Sequence, residues 1–162
     1  MLLRIALGLA MALSVLPLRS GYAQDERKPT AQEVAAIRSC AAKYQDDVEE
    51  GERNCLFNFV ATPCTKTPEG SSNLGTADCY RVEGVIWDGL LNENFKNLLD
   101  TLDDQQATKF RAMQRAWIAY RDTTCDFYWD KIQGTMAIPM ARACVARETA
   151  RRALLLRFFS RM

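Results

Sequence analysis

The chain has 162 residues, with 21 Lys and Arg, 20 Asp and Glu, and no His. The missing imidazole excludes Ser–His and Cys–His nucleophile systems and His-ligated metals. A near-neutral balance is a poor match to a nucleic-acid backbone. No cofactor, metal or nucleic acid is therefore expected.

The first residues read as an export signal. Arg4 supplies a positive start, Ile5 to Leu16 carries no charge, and Pro17 and Arg19 close the run. Gly21-Tyr22-Ala23 then gives a small-x-small cleavage site, with the cut before Gln24. The apolar run is about a dozen residues, short of the roughly 20 that span a bilayer. Residues 1–23 are thus a predicted signal peptide and 24–162 a single helical domain, periplasmic or secreted, with no integral membrane segment after cleavage. No Cys stands near the cut to carry a lipid anchor. Charge is uneven: residues 24–110 hold 16 acidic and 9 basic side chains, and 111–162 hold 4 and 10. Two halves attracting each other is the simplest consequence.

Six cysteines remain after cleavage: Cys40, Cys55, Cys64, Cys79, Cys125 and Cys144. An even number in an exported chain reads as three disulfides, and no pair has the C-x-x-C spacing of a redox motif.

In chain order, Thr30-x-x-Glu33 has the form of a capping box and opens a first helix. Val34, Ile37, Ala41, Tyr44 and Val48 trace its apolar face, and Gly51 suits its end by taking positive φ. A shorter helical segment is expected over 52–60. Folding this hairpin about residues 47–48 brings Cys40 opposite Cys55. Residues 61–75 are rich in Pro, Gly, Ser and Asn and read as a long irregular loop. Cys64 and Cys79 bracket it, so a bridge between them would pin it. A third helix is expected over 76–100 with Thr76 as N-cap, and a fourth over 104–131 after the turn Thr101–Asp104, the two forming an antiparallel hairpin. Phe110, Met113, Trp117, Tyr120, Thr124 and Phe127 mark the fourth helix's apolar face. Gln133-Gly134-Thr135 breaks it, and Pro139 suits the first turn of a fifth. A Cys125–Cys144 bridge would cross-link these last two. The predicted fold is an all-α, disulfide-stapled bundle of four to five helices.

The most informative segment is Trp117 to Cys125. Trp117, Arg121 and Cys125 stand four apart on one helical face, and Glu148, Thr149 and Arg152 follow downstream of Cys144. An Arg121–Glu148 ion pair with Trp117 over the guanidinium is expected, a polar clasp between helices in preference to a ligand-facing Arg.

Several spaced residues carry a family likeness. They are Gln114-x-x-Trp117-x-x-x-Arg121-Asp122-x-x-Cys125, Gly134-Thr135-Met136, Cys144 and Glu148-Thr149-x-Arg152, with Cys79 and Trp87-Asp88-x-Leu90-Leu91-Asn92 upstream. Over 76–155, and more loosely back to Cys40, the chain resembles the LprI-type, lysozyme-inhibitor-like family of small exported proteins. It departs at Gln133, where that pattern carries a second glycine. The resemblance implies a helical periplasmic or secreted domain, with lysozyme inhibition attributed to some members. Trp117, Arg121, Asp122, Gly134, Thr135, Glu148, Thr149 and Arg152 look like its scaffold.

Function is therefore expected to be binding rather than catalysis, with lysozyme or another envelope protein as partner. Lysozymes are commonly basic, so the acidic N-terminal half would steer the encounter. The loop 61–75 and the turn 133–139 are the candidate contact segments. A structural or envelope-assembly role is the second reading. A His-free carboxylate hydrolase comes last, because it needs two carboxylates about 5–10 Å apart in a cleft. The acidic clusters Asp46, Asp47, Glu49, Glu50 and Asp100, Asp103, Asp104 sit where solvated helix ends belong.

Overall fold

A computed structural model describes residues 26–162, so the leader expected at 1–23 lies outside the described residues. Among the described residues there are six helices and no strand: α1 (Ala31–Lys43), α2 (Val48–Cys55), α3 (Ala61–Thr65), α4 (Asn73–Leu99), α5 (Asp104–Ile132) and α6 (Ala137–Phe159). The all-α expectation holds. Three disulfides staple the helices in pairs: Cys40–Cys55 joins α1 to α2, Cys64–Cys79 joins α3 to α4, and Cys125–Cys144 joins α5 to α6.

Local chemistry sets most boundaries. Thr30 Oγ1 accepts from the Glu33 backbone N–H at 3.2 Å, and Glu33 Oε2 accepts from the Thr30 N–H at 2.8 Å, closing the capping box of α1. α1 stops at Lys43, short of Val48, because Asp47 starts a new helix by accepting from the Glu50 N–H at 2.9 Å. Gly51 therefore lies inside α2 and not beyond a helix end. Its value is space: a Cβ there would stand 3.1 Å from Leu154 Cδ2.

The stretch 61–75 is less irregular than its composition suggests. Pro63 sits in the first turn of α3, where its missing N–H removes no helical bond. α4 begins at Asn73 because Ser72, and not Thr76, is its N-cap: Ser72 Oγ accepts from the Gly75 N–H at 3.0 Å. Thr76 Oγ1 instead donates to the Gly70 carbonyl at 2.8 Å. The loop shrinks to residues 66–72, and α3 raises the helix count above the expected four to five.

α4 and α6 form the main helix pair and run in the same direction, with Gly84 opposite Ala146 and Asn94 donating to the Ala153 carbonyl at 2.9 Å. Buried Ala141, Ala146, Ala150 and Ala153 let the two axes approach closely. The core fills with Val82, Ile86, Trp87, Leu90 and Leu91 from α4, Leu154 and Leu156 from α6, and Ile37 from α1. Burying each large apolar side chain contributes about 1.5–3 kcal/mol. Arg151–Glu52 and Arg161–Asp46, both at 2.7 Å, join the basic C-terminal half to the acidic one. Both pairs are solvent-exposed and worth little individually. No helix among the described residues is long and apolar enough to cross a membrane.

The expected α4–α5 hairpin forms only at its turn, where Phe95 stacks on Phe110 with centroids 4.8 Å apart. Beyond it α5 leaves α4 and lies antiparallel on α6, held by the Cys125–Cys144 bridge and a Gln114–Arg152 hydrogen bond. One neighbour cannot cover a broad apolar face. Phe110 is buried, but Met113 is 37% exposed, Tyr120 55% and Phe127 61%.

Candidate functional site

The motif residues of α5 and α6 meet, but not in the expected pairing. Arg121 lies over Trp117, its guanidinium carbon 5.1 Å from the ring, and its charge is met by neighbouring Asp122 at 2.7 Å. Glu148 pairs with Arg151 at 3.2 Å, and Arg151 also holds Glu52 of α2 at 2.7 Å. The Arg121–Glu148 ion pair does not form, because Glu148 is engaged on the α2 side of α6. Arg121 instead lines a groove between α4, α5 and α6 together with Thr149.

The cation that does cross this interface is Arg152. It is 7% exposed, donates from Nε to Gln114 Oε1 at 2.9 Å, and lies 5.5 Å from the Trp117 ring. Burial pushes its pKa down. Trp117 thus has two guanidinium groups against it, Arg121 from its own helix and Arg152 from α6, and the second ties α5 to α6.

A second buried charge, Glu83, escapes a reading by periodicity. It accepts from the backbone N–H groups of Phe57 at 2.6 Å and Ala61 at 2.9 Å, and from Trp87 Nε1 at 3.1 Å. Glu83 is fully buried on α4. It holds the α2–α3 connection against that helix, including Phe57 in its left-handed conformation at φ 65°. Desolvation pushes its pKa up despite the three donors. The only sequence signal was a carboxylate four residues before a Trp inside an apolar stripe.

Both candidate contact segments come together at one end of the molecule. Asn73 Nδ2 donates to Thr135 Oγ1 at 2.9 Å across a separation of 62 residues. Residues 66–75 are fixed from below by the Cys64–Cys79 bridge. Thr67 Oγ1 donates to the Cys64 carbonyl at 2.9 Å and accepts from the Gly70 N–H at 3.1 Å. A Cβ at Gly70 would fall 2.0 Å from the Cys64 carbonyl oxygen, so this close approach admits only glycine. On the facing turn, Gln133 at φ 45° and Gly134 at φ 137° reverse the chain between α5 and α6. The rigid lobe so built presents Leu74, 68% exposed, and Met136, 52% exposed. An open groove of about 810 Å³ beside it is lined by Glu26, Glu69, Asp78, Arg81 and Arg142, with Leu74 and Ile138.

A model of the family described as Lysozyme inhibitor LprI matches residues 64–156. The chain belongs to the LprI family. The matched span takes in both segments of the lobe, all of α4 and α5, and the Cys64–Cys79 and Cys125–Cys144 bridges. α1, α2 and the Cys40–Cys55 bridge precede it. No curated protein and no solved structure matches the chain. LprI is by description an inhibitor family, not a catalytic one. Two of the carboxylates lining the groove, Asp78 and Glu26, are held by Arg81, at 2.7 and 3.6 Å.

Proposed function

We propose that this LprI-family protein is exported, periplasmic or secreted, and binds lysozyme, covering the muramidase cleft with the lobe built from residues 66–75 and 133–136. The observation that carries the reading is the Asn73–Thr135 hydrogen bond, which locks two distant segments into one projection. Exposed Leu74 and Met136 stand beside those two residues. Apolar tips on a preorganised support lose little entropy on docking. The excess of acidic side chains over residues 24–110 favours approach to a basic enzyme. Three disulfides fit an oxidising compartment. Arg152 holds α6 on Trp117 of α5 behind the lobe, Arg121 and Asp122 pair on α5, Glu148 faces α2, Thr149 lines the groove between α4, α5 and α6, and Gly134 and Thr135 are part of the lobe.

The test is to add the mature, oxidised protein to several lysozymes and follow cell-wall clearing. Slowing at micromolar excess supports the reading; unchanged clearing for every lysozyme refutes it. A pull-down from envelope extract that returned one envelope complex and no lysozyme would select the structural role.

A further inference from the structure

We infer that the groove between α4, α5 and α6 is a binding site for a short zwitterionic peptide, two residues long and with small side chains. The inference rests on nothing in the lysozyme reading. Where α4 and α6 touch, a Cβ on Gly84 would stand 3.4 Å from the Ala146 Cβ, so these two positions put little bulk into the seam. The groove above them has a volume of about 240 Å³, with Tyr80 and Val85 of α4 and Val145 of α6 along its walls. Thr149 lines it too. That residue is 2% exposed, and its hydroxyl makes no hydrogen bond among the described residues. A polar group so placed is costly unless something in the groove meets it.

Four charged side chains line the groove, and two of them are already neutralised. Arg81 is held by Asp78 and Glu26, and Arg121 by Asp122. Arg142 and Asp88 remain, both exposed, and neither forms an ion pair among the described residues. Asp88 accepts one hydrogen bond, from Asn92 Nδ2 to its Oδ2 at 2.9 Å, which leaves Oδ1 free. These opposite charges do not meet because they stand at opposite ends of the groove. α4 and α6 run in the same direction with Gly84 opposite Ala146. Asp88 comes four residues after Gly84, and Arg142 four before Ala146. Their backbones are thus about 12 Å apart along the helix axes, at 1.5 Å per residue.

A slot with a cation at one end, an anion at the other and apolar walls between them defines its ligand. A carboxylate belongs at Arg142 and an ammonium at Asp88. An extended dipeptide is about 7 Å long, and one hydrogen bond of about 2.9 Å at each end accounts for the rest. A free amino acid is about 3.5 Å too short and a tripeptide about as much too long. Between the ends, the peptide carbonyl accepts from the Thr149 hydroxyl, and the side chains lie against Val85 and Val145. The volume falls below the roughly 300 Å³ at which pockets for drug-sized ligands begin, so those side chains must be small.

Isothermal titration of the mature, oxidised protein with alanylalanine tests the site. A dissociation constant on the order of 0.5 mM is expected. N-acetyl-alanylalanine lacks the amine and alanylalanine amide lacks the carboxylate, so each should bind at least about tenfold more weakly, as should alanine and trialanine. Arg142→Gln should weaken the dipeptide about tenfold and no longer distinguish it from its amide. Asp88→Asn should weaken it similarly and no longer distinguish it from the N-acetyl form. Both side chains are exposed, so both variants should fold. No binding at about 10 mM dipeptide overturns the inference. So does a native protein that binds the dipeptide and its blocked forms equally, or a pair of variants that keep the native discrimination.

Discussion

Arg152 donates from Nε to Gln114 Oε1 across the α5–α6 interface, while its Nη2 is buried with no hydrogen-bond partner. A guanidinium with so little compensation depends on the acceptor it has. Gln114→Leu should cost about 2–4 kcal/mol in urea unfolding, whereas Gln114→Leu with Arg152→Met should restore most of that loss by removing the orphaned charge. A Gln114→Leu protein as stable as the native one would show that Arg152 is solvated in solution.

Glu83 gives stability an unusual pH dependence. Burial raises its folded pKa above the unfolded value. Its favourable contribution is therefore complete below the ordinary carboxylate range and is lost as pH rises through the raised pKa. Glu33 and Glu93 act oppositely. Burial of Glu33 is outweighed by its bonds to Thr30 and Arg27, and the Arg38 bond holds Glu93 down, so their contributions exist above the ordinary range and are lost as pH falls. Glu83→Gln should cost about 2 kcal/mol, because its amide N–H must face a backbone N–H of Phe57 or Ala61. That cost should shrink with rising pH when unfolding is compared between about pH 3 and about pH 8. A difference constant over the range would contradict a raised Glu83 pKa.

What the sequence made legible was local. The Thr30–Glu33 bond closes over three residues, and Pro139 falls within the first turn of α6. Four kinds of feature were not legible. Ser72 and Thr76 are both hydroxyl residues suited to an N-cap, and only packing under Gly70 decides between them. Periodicity marked Tyr120 and Phe127 as apolar, but it does not say whether a neighbour covers them. Arg121 could choose among several carboxylates, and Asp122 was nearer than Glu148. The lobe itself rests on Asn73 meeting Thr135, a contact that no spacing rule reaches.

Gln133 occupies a backbone position that favours glycine, at φ 45°. Gln133→Gly should therefore stabilise the protein by about 0.5–1 kcal/mol, the left-handed penalty less the added entropy of the unfolded chain. Gly134→Ala, at φ 137°, should destabilise it by more than about 1 kcal/mol. Thermal melts of both variants check the pair of signs, and a lower Tm for Gln133→Gly would contradict the turn geometry.

The lobe as the inhibitory surface is tested most directly by the double variant Leu74→Asp/Met136→Asp in the lysozyme clearing assay. Both side chains are exposed, so the variant should melt within a few degrees of the native protein. Inhibition by the native protein, with potency at least about tenfold lower in the variant, is the expected result. Equal potency of the two proteins would contradict it.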